Sequence, residues 1–307
     1  MISNKEKNFI SAIIYLKNEA ELVIPFLELL NSTLDENFNK YEIICINDAC
    51  RDESVAKLKE FANSKTNEVP ITLVNMSTEQ GKEACMNAGL DISIGDFIFE
   101  FDTLEILYSK NAIMDSYFKC LEGYDIVSIG PQKAKRLSSK LFYAIFNSAS
   151  KSNYKLTTDV FHIVSRRAIN RLHAINPNLP YRKAAFATSG LKIAYINCTA
   201  PDKKSRNNYR TGQALDALAL YTNVAYKFSI MISMLLLFVT IFSAIYTIVV
   251  FVSKTAIIDG WFTTMMLMSG GFFGIFLILA IIIKYLSLLV DLIFKNQKYL
   301  VESIEKL

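Results

Sequence analysis

The sequence predicts an α/β fold with a mostly parallel sheet, followed by two membrane-spanning helices. Short apolar runs of strand length alternate with stretches of helical pattern over residues 1–130, as in sheets covered by helices on both faces. Farther along, the runs 228–252 and 261–283 contain no charged side chain. Because 52% of the chain is apolar and the excess is concentrated in these two runs, a wholly soluble or disordered protein is not expected.

The elements of the predicted sheet follow one another at short intervals. Strands are predicted at 9–16, 41–47, 71–75, 96–101 and 125–129, and helices between them at 19–32, 54–64, 81–94 and 112–121. A basic helix is predicted at 165–173. Together these elements define a predicted domain over residues 1–210.

The second half of the chain predicts attachment to a membrane. Residues 228–252 and 261–283 each exceed the roughly 20 residues that a helix needs to cross about 30 Å of hydrocarbon. We expect an amphipathic juxtamembrane helix at 211–227 before the first span. After the second span, apolar and charged residues at helical spacing predict a cytosolic C-terminal helix at 284–307.

The distribution of charged residues along the chain predicts its orientation in the membrane. Residues 1–130 hold 11 Lys and Arg against 22 Asp and Glu, whereas residues 131–210 hold 16 against two. Such a basic region suits anionic lipid or phosphate groups. Because the short loop between the spans holds one basic residue and the flanks hold many, both termini are expected in the cytoplasm, in a multi-pass protein of the plasma membrane. Five scattered cysteines predict reduced thiols.

Polar residues follow several predicted strands. Ligands of open α/β sheets bind beyond the carboxyl ends of the strands, so these residues are the first candidates for a site. They are Lys17-Asn18-Glu19, the segment 47–52 with Asp48, Gln80-Gly81-Lys82, and the segment 102–105 with Asp102 and Glu105.

These segments resemble glycosyltransferase family 2, which has the GT-A fold, and in particular its membrane-bound polyprenyl-phosphate glycosyltransferases. Residues 13–19 match an opening strand that ends in Asn-Glu, and residues 41–52 match the second strand with its Asp-rich turn. Residues 81–89 match a helix start, residues 95–102 the strand leading to a metal-binding Asp-x-Asp, and residues 161–167 a Phe-Arg-Leu segment. The order of these motifs and the trailing pair of spans carry the resemblance.

The resemblance implies an inverting transfer of sugar from a UDP- or GDP-sugar to polyprenyl phosphate, assisted by Mg²⁺ or Mn²⁺. It implies Asp102 and Glu105 as metal ligands, Asp102 and Asp159 as catalytic groups, and a larger set of substrate-binding residues: Asn18, Glu19, Asp48, Lys82, Arg206 and Arg210. The lipid bilayer is an expected partner, homo-oligomers occur in some relatives, and no nucleic acid partner is expected.

The chain departs from the family pattern at two places. Leu104 replaces the second Asp of Asp-x-Asp, with Glu105 one residue later, and Val160 stands where the family has Asp, with Asp159 one place early. A shift of one residue on an extended segment turns a side chain to the opposite face. Two other functions therefore stay open, namely a catalytically weak or inactive membrane scaffold and a family 2 transferase with another lipid or wall-polymer acceptor.

Overall fold

The computed structural model describes residues 5–64, 70–130, 159–175, 182–198, 260–294 and 299–307, with scattered residues at 144–147 and 231–246. The chain divides into two compact units. One contains residues 1–210 and 297–307, and the other contains residues 211–296.

The first unit is built on an eight-stranded mixed sheet. Its strands are β1 (Glu6–Leu16), β2 (Phe38–Asn47), β3 (Ile71–Met76), β4 (Phe97–Phe101), β5 (Ile126–Gly130), β6 (Phe161–Ser165), β7 (Ile193–Asn197) and β8 (Val301–Lys306). They lie in the order β7-β5-β6-β4-β1-β2-β3-β8. The four central strands β4, β1, β2 and β3 are parallel, and β6 and β8 are antiparallel to their neighbours.

Seven helices are described. They are α1 (Ala20–Asn37), α2 (Ser54–Ser64), α3 (Lys82–Ile92), α4 (Asn111–Leu121), α5 (Arg166–Ile175), α6 (Arg182–Thr188) and α7 (Gly260–Phe294). The five strands and the helices predicted over residues 1–130, and the basic helix that follows, are therefore confirmed, with ends that differ by a few residues.

The core lies on both faces of β1. Consecutive residues Ile13 and Ile14 are both fully buried, as expected for a parallel strand covered by helices on two sides. Helix α3 approaches this strand closely at Gly89, where a Cβ atom would lie 2.4 Å from Cγ2 of Ile13. A glycine at this position therefore sets the distance between α3 and the sheet.

The prediction of a helix over residues 284–307 is wrong at its end, where residues 301–306 form β8. This strand pairs antiparallel with β3, and Asn75 Nδ2 donates to Ser303 Oγ and Glu305 Oε1, both at 2.9 Å. Without β8, the backbone N–H and C=O groups on one side of β3 would form an open sheet edge. Pairing these groups outweighs the helical spacing of the sequence, which is a weak local preference.

Strands β6 and β7 were not predicted. Strand β6 lies antiparallel between β4 and β5, with His162 opposite Glu100 on β4. It carries the segment that resembles Phe-Arg-Leu into the middle of the sheet, beside the strand that precedes Asp102.

None of the described helices has the combination of length and apolar character that crossing a membrane requires. Residues 261–283 lie within α7, whereas residues 211–227 and most of 228–252 lie outside the described residues. Both spans and the juxtamembrane helix stay predictions.

Candidate functional site

The carboxyl ends of β1, β2 and β4 meet at one edge of the sheet. Leu16 pairs with Asn47 across β1 and β2, and Ile14 pairs with Phe101 across β1 and β4. The residues that directly follow these strands therefore share this edge, including Asn18, Glu19, Asp48 and Asp102.

Asp48 is fully buried and holds the loop before α3. Its Oδ1 accepts from the backbone N–H of Gln80 at 2.7 Å, and its Oδ2 accepts from the N–H of Gly81 at 3.1 Å and from the hydroxyl of Tyr15 at 2.9 Å. Gly81 has φ of 83°, in the left-handed region that glycine tolerates. Three donors leave the carboxylate little capacity for a further ligand. The substrate-binding role that the resemblance implies for Asp48 stays a prediction.

Asn18 and Glu19 connect neighbouring loops at the same edge. Asn18, with φ of 52°, accepts from the N–H of Arg51 at 2.8 Å through Oδ1. Glu19 Oε2 accepts from the N–H of Leu104 at 3.3 Å, which ties the start of α1 to the loop after β4. Burial raises the pKa of the Glu19 carboxyl, and the nearby Glu105 carboxylate raises it further. Both residues therefore support the loops that carry the other candidates.

Asp102 lies among three cationic side chains. Its Oδ2 is 2.8 Å from Lys82 Nζ and 3.5 Å from Lys183 Nζ, and its Oδ1 is 3.8 Å from Arg182 Nη2. Burial opposes ionisation, but these three cations hold the pKa of Asp102 well below its usual range. Asp102 is therefore an ionised carboxylate whose charge is already compensated by protein groups.

Asp159 joins the same cluster from the segment just before β6. Its Oδ1 accepts from Lys183 Nζ, so that Lys183 bridges Asp159 and Asp102. Its Oδ2 is 3.6 Å from Nδ1 of His162, whose Nε2 is 3.3 Å from Glu100 Oε1. The structure thus brings together two residues predicted to be catalytic, Asp102 and Asp159, through a lysine that was not predicted.

Arg182 forms the buried base of the cluster. Its side chain is 2% exposed, with Nε 3.0 Å from Glu100 Oε2 and Nη1 3.1 Å from Glu83 Oε2. Burial disfavours the charged guanidinium, but the carboxylates of Glu83, Glu100 and Asp102 together raise its pKa. Arg182 is therefore fixed by carboxylates on α3 and β4.

The residues present do not fit a divalent cation. Leu104 is 1% exposed and packs in the apolar core, and Asp102 Oδ2 is occupied by Lys82. Asp102 Oδ1 and Glu105 Oε2 are buried without a hydrogen-bond partner among the described residues, but Asp102 Oδ1 faces Arg182. In the described part of the chain, no group of three His, Cys, Asp or Glu side chains is arranged to hold a metal. The expectation of Mg²⁺ or Mn²⁺ bound by Asp102 and Glu105 is therefore not supported.

Sequence reasoning missed four charged members of this cluster: Glu83, Glu100, Arg182 and Lys183. Of these four, Glu100 could have been noticed in the sequence, since a carboxylate inside the apolar strand segment 97–101 is unusual. Arg206 and Arg210 lie outside the described residues.

The sheet fits the Rossmann-like GT-A fold. Glucosyl-3-phosphoglycerate synthase from Mycobacterium tuberculosis, solved with Mn²⁺, UDP-glucose and phosphoglyceric acid, is similar with a TM-score of 0.51 and 13% identity. The match covers 69% of this chain and 78% of that chain. A likeness at this identity shows the fold alone.

Residues 11–103 match the family model described as Glycosyl transferase family 2, which is a similarity over this part of the chain. An uncharacterised glycosyltransferase of Synechocystis sp. is 25% identical over 193 residues, covering 61% of this chain. The undecaprenyl-phosphate 4-deoxy-4-formamido-L-arabinose transferase of Proteus mirabilis is 24% identical over 196 residues, also covering 61% of this chain. The chain spans 59% of the length of each of these two relatives.

Proposed function

We propose that this chain transfers a sugar from a nucleotide-diphosphate-sugar to polyprenyl phosphate at the cytoplasmic face of a membrane. The observation that carries the proposal is the cluster around Asp102 at the carboxyl edge of the sheet. It holds Lys82 and Lys183 side chains that are 18% and 16% exposed, within reach of a ligand at the surface. Ammonium groups suit the diphosphate of such a donor.

The acceptor is proposed from chemistry and from one relative. A lipid phosphate is ionised near neutral pH, so it attacks the anomeric carbon without a strong general base. This suits the described part of the site, to whose residues we assign no such base. The name of the Proteus mirabilis relative specifies undecaprenyl phosphate. The basic region 131–210 and the predicted spans at 228–252 and 261–283 suit an acceptor held in a bilayer.

The proposed transfer exchanges one bond at the anomeric carbon. The bond from that carbon to the β-phosphate oxygen of the donor breaks, and a bond to an acceptor phosphate oxygen forms on the opposite face, which inverts the configuration. The nucleoside diphosphate leaves with the bonding electron pair, and no proton needs to move. The protein contributes by positioning both phosphates and by neutralising the charge that develops on the leaving group.

A second candidate function is an inactive scaffold with the same fold. It is favoured by the buried Leu104, whose side chain cannot coordinate a metal ion, and by the ion pair that occupies Asp102.

Transfer by the purified full chain in detergent tests the proposal. UDP- and GDP-sugars carrying a radiolabel are incubated with undecaprenyl phosphate, and labelled lipid is extracted. We expect one donor to give product and Asp102→Asn to lower turnover by about 100-fold, because the charge that organises the lysines is lost. Asp115→Asn, an exposed carboxylate on α4, is the matched control and should keep full turnover.

Thermal unfolding of each variant separates loss of activity from loss of the fold. A folded wild-type chain that transfers no sugar from any donor would support the scaffold instead.

A further inference from the structure

The side chains around Asp102 supply positive charge at the place where the family resemblance puts a metal ion. Lys82 Nζ lies 2.8 Å from Asp102 Oδ2, a direct ion pair between side chains that are 18% and 10% exposed. Lys183 Nζ lies 3.5 Å from the same oxygen. A cation approaching this carboxylate would have to displace both ammonium groups.

The three cations of the cluster differ in their exposure. Arg182 is 2% exposed and is held by Glu83 and Glu100, so its guanidinium stays in place. Lys82 and Lys183 reach the surface on flexible stems, and each can turn from a carboxylate to a phosphate oxygen without leaving the cluster. Asp102 and Asp159 therefore hold two partly exposed ammonium groups at the edge of the sheet where the donor would bind.

We propose that Lys82 and Lys183 neutralise the donor's diphosphate in place of a divalent cation, so that this chain binds nucleoside diphosphates without metal. The inference rests on the proposed function and names the residues that compensate the negative charge of the donor. When the bond between the anomeric carbon and the β-phosphate oxygen breaks, the two lysines face the negative charge left on that phosphate. Asp102 and Asp159 act as positioning residues that keep the lysines near the diphosphate.

Calorimetric titration of the full chain in detergent tests this inference, with UDP and GDP as probes and with EDTA or Mn²⁺ in the buffer. We expect one nucleotide to bind in EDTA with an affinity within about twofold of that in Mn²⁺. Lys82→Met and Lys183→Met should each weaken metal-free binding by roughly 10-fold to 100-fold, the usual effect of losing a charge-assisted hydrogen bond. Lys183→Arg, which keeps the charge, should restore most of the affinity.

Lys7→Met is the matched control, because Lys7 is exposed near the start of β1, at the opposite end of that strand from the site. It should bind as the wild type does. Thermal unfolding of every variant verifies that the fold persists, and Lys183→Arg serves if Lys183→Met fails to fold.

Two results would overturn the inference while leaving the proposed function in place. One is binding that appears only with Mn²⁺, and the other is metal-free binding that neither lysine variant weakens. Failure of folded protein to bind either nucleotide, with or without Mn²⁺, would instead overturn the proposed function and the inference with it.

Discussion

His162 is a buried histidine of the site, and its protonation depends on the carboxylates around it. Burial opposes its protonation, but the carboxylates of Glu100, Asp159 and Asp102 raise its pKa above the ordinary value of 6.5. A group whose pKa is higher in the folded chain stabilises the fold fully below its unfolded pKa, and this stabilisation is lost as the pH rises through the folded value.

We therefore expect the thermal unfolding midpoint of the wild type to fall as the pH rises from below the ordinary histidine pKa of about 6.5 to alkaline values, and His162→Gln to reduce that fall. At the lower pH the variant should lose about 1–3 kcal/mol, since Glu100 keeps no charged partner on β6. The same measurement on His173→Gln gives the part of this change in midpoint that comes from the other histidine of the chain. A variant whose midpoint falls as steeply as that of the wild type would show that His162 carries no charge in the fold.

Leu104 shows how a local departure from a family pattern changes a site. Its side chain packs in the apolar core with Phe101 and Phe161, and its backbone N–H donates to Glu19. The segment after β4 thus keeps its path without a second carboxylate, and Lys82 and Lys183 compensate Asp102 instead.

At the scale of elements, the contact between α3 and β1 depends on Gly89. A Cβ at this position would lie 2.4 Å from Ile13 Cγ2, inside the fully buried core. We expect Gly89→Ala to destabilise the fold by about 1–3 kcal/mol through overpacking. The gain in helix propensity, about 1 kcal/mol, offsets only part of this cost.

The double variant Ile13→Ala with Gly89→Ala checks the cause of that loss. Because the shortened side chain leaves room for the new methyl group, adding Gly89→Ala to Ile13→Ala should cost nothing or stabilise. Thermal or urea unfolding gives all four free energies. A stabilising effect of Gly89→Ala in the wild-type background would mean that α3 does not press on β1 at this point.

At the scale of the whole molecule, the last residues of the chain complete the unit formed by residues 1–210. The backbone of Leu300 forms two hydrogen bonds of 2.7 Å with the side-chain amide of Gln80. The backbone N–H of Gln80 donates to Asp48. Lys59 pairs with Glu305 at 2.6 Å beside them. The end of the chain therefore supports the loop that precedes Lys82.

Deleting residues 299–307 should lower the unfolding midpoint and promote self-association, because the edge of β3 loses its partner. It should also weaken nucleotide binding, since Gln80 loses its anchor. A synthetic peptide of residues 299–307 should restore the midpoint in part, whereas Glu302→Ala, at an exposed position of β8, should leave it unchanged. An unaltered midpoint after the deletion would mean that β8 adds nothing to the sheet.

The sequence alone determined the alternation of strands and helices over residues 1–130 and the edge at which polar residues gather. Both depend on local patterns, namely apolar periodicity and the position of Asn18, Asp48 and Asp102 directly after apolar runs. The same patterns carried the resemblance to family 2, which the match over residues 11–103 confirms.

Which charges meet and how the sheet ends depend on contacts between residues that are far apart in the chain. Arg182 and Lys183 are distant from Asp102 in sequence, and no periodicity links them, so their ion pairs depend on where α6 lies against α3 and β4. The C-terminal segment became a strand for a related reason. Its local spacing allows a helix, but the unpaired edge of β3, which lies far earlier in the chain, supplies backbone partners that a local pattern cannot reveal.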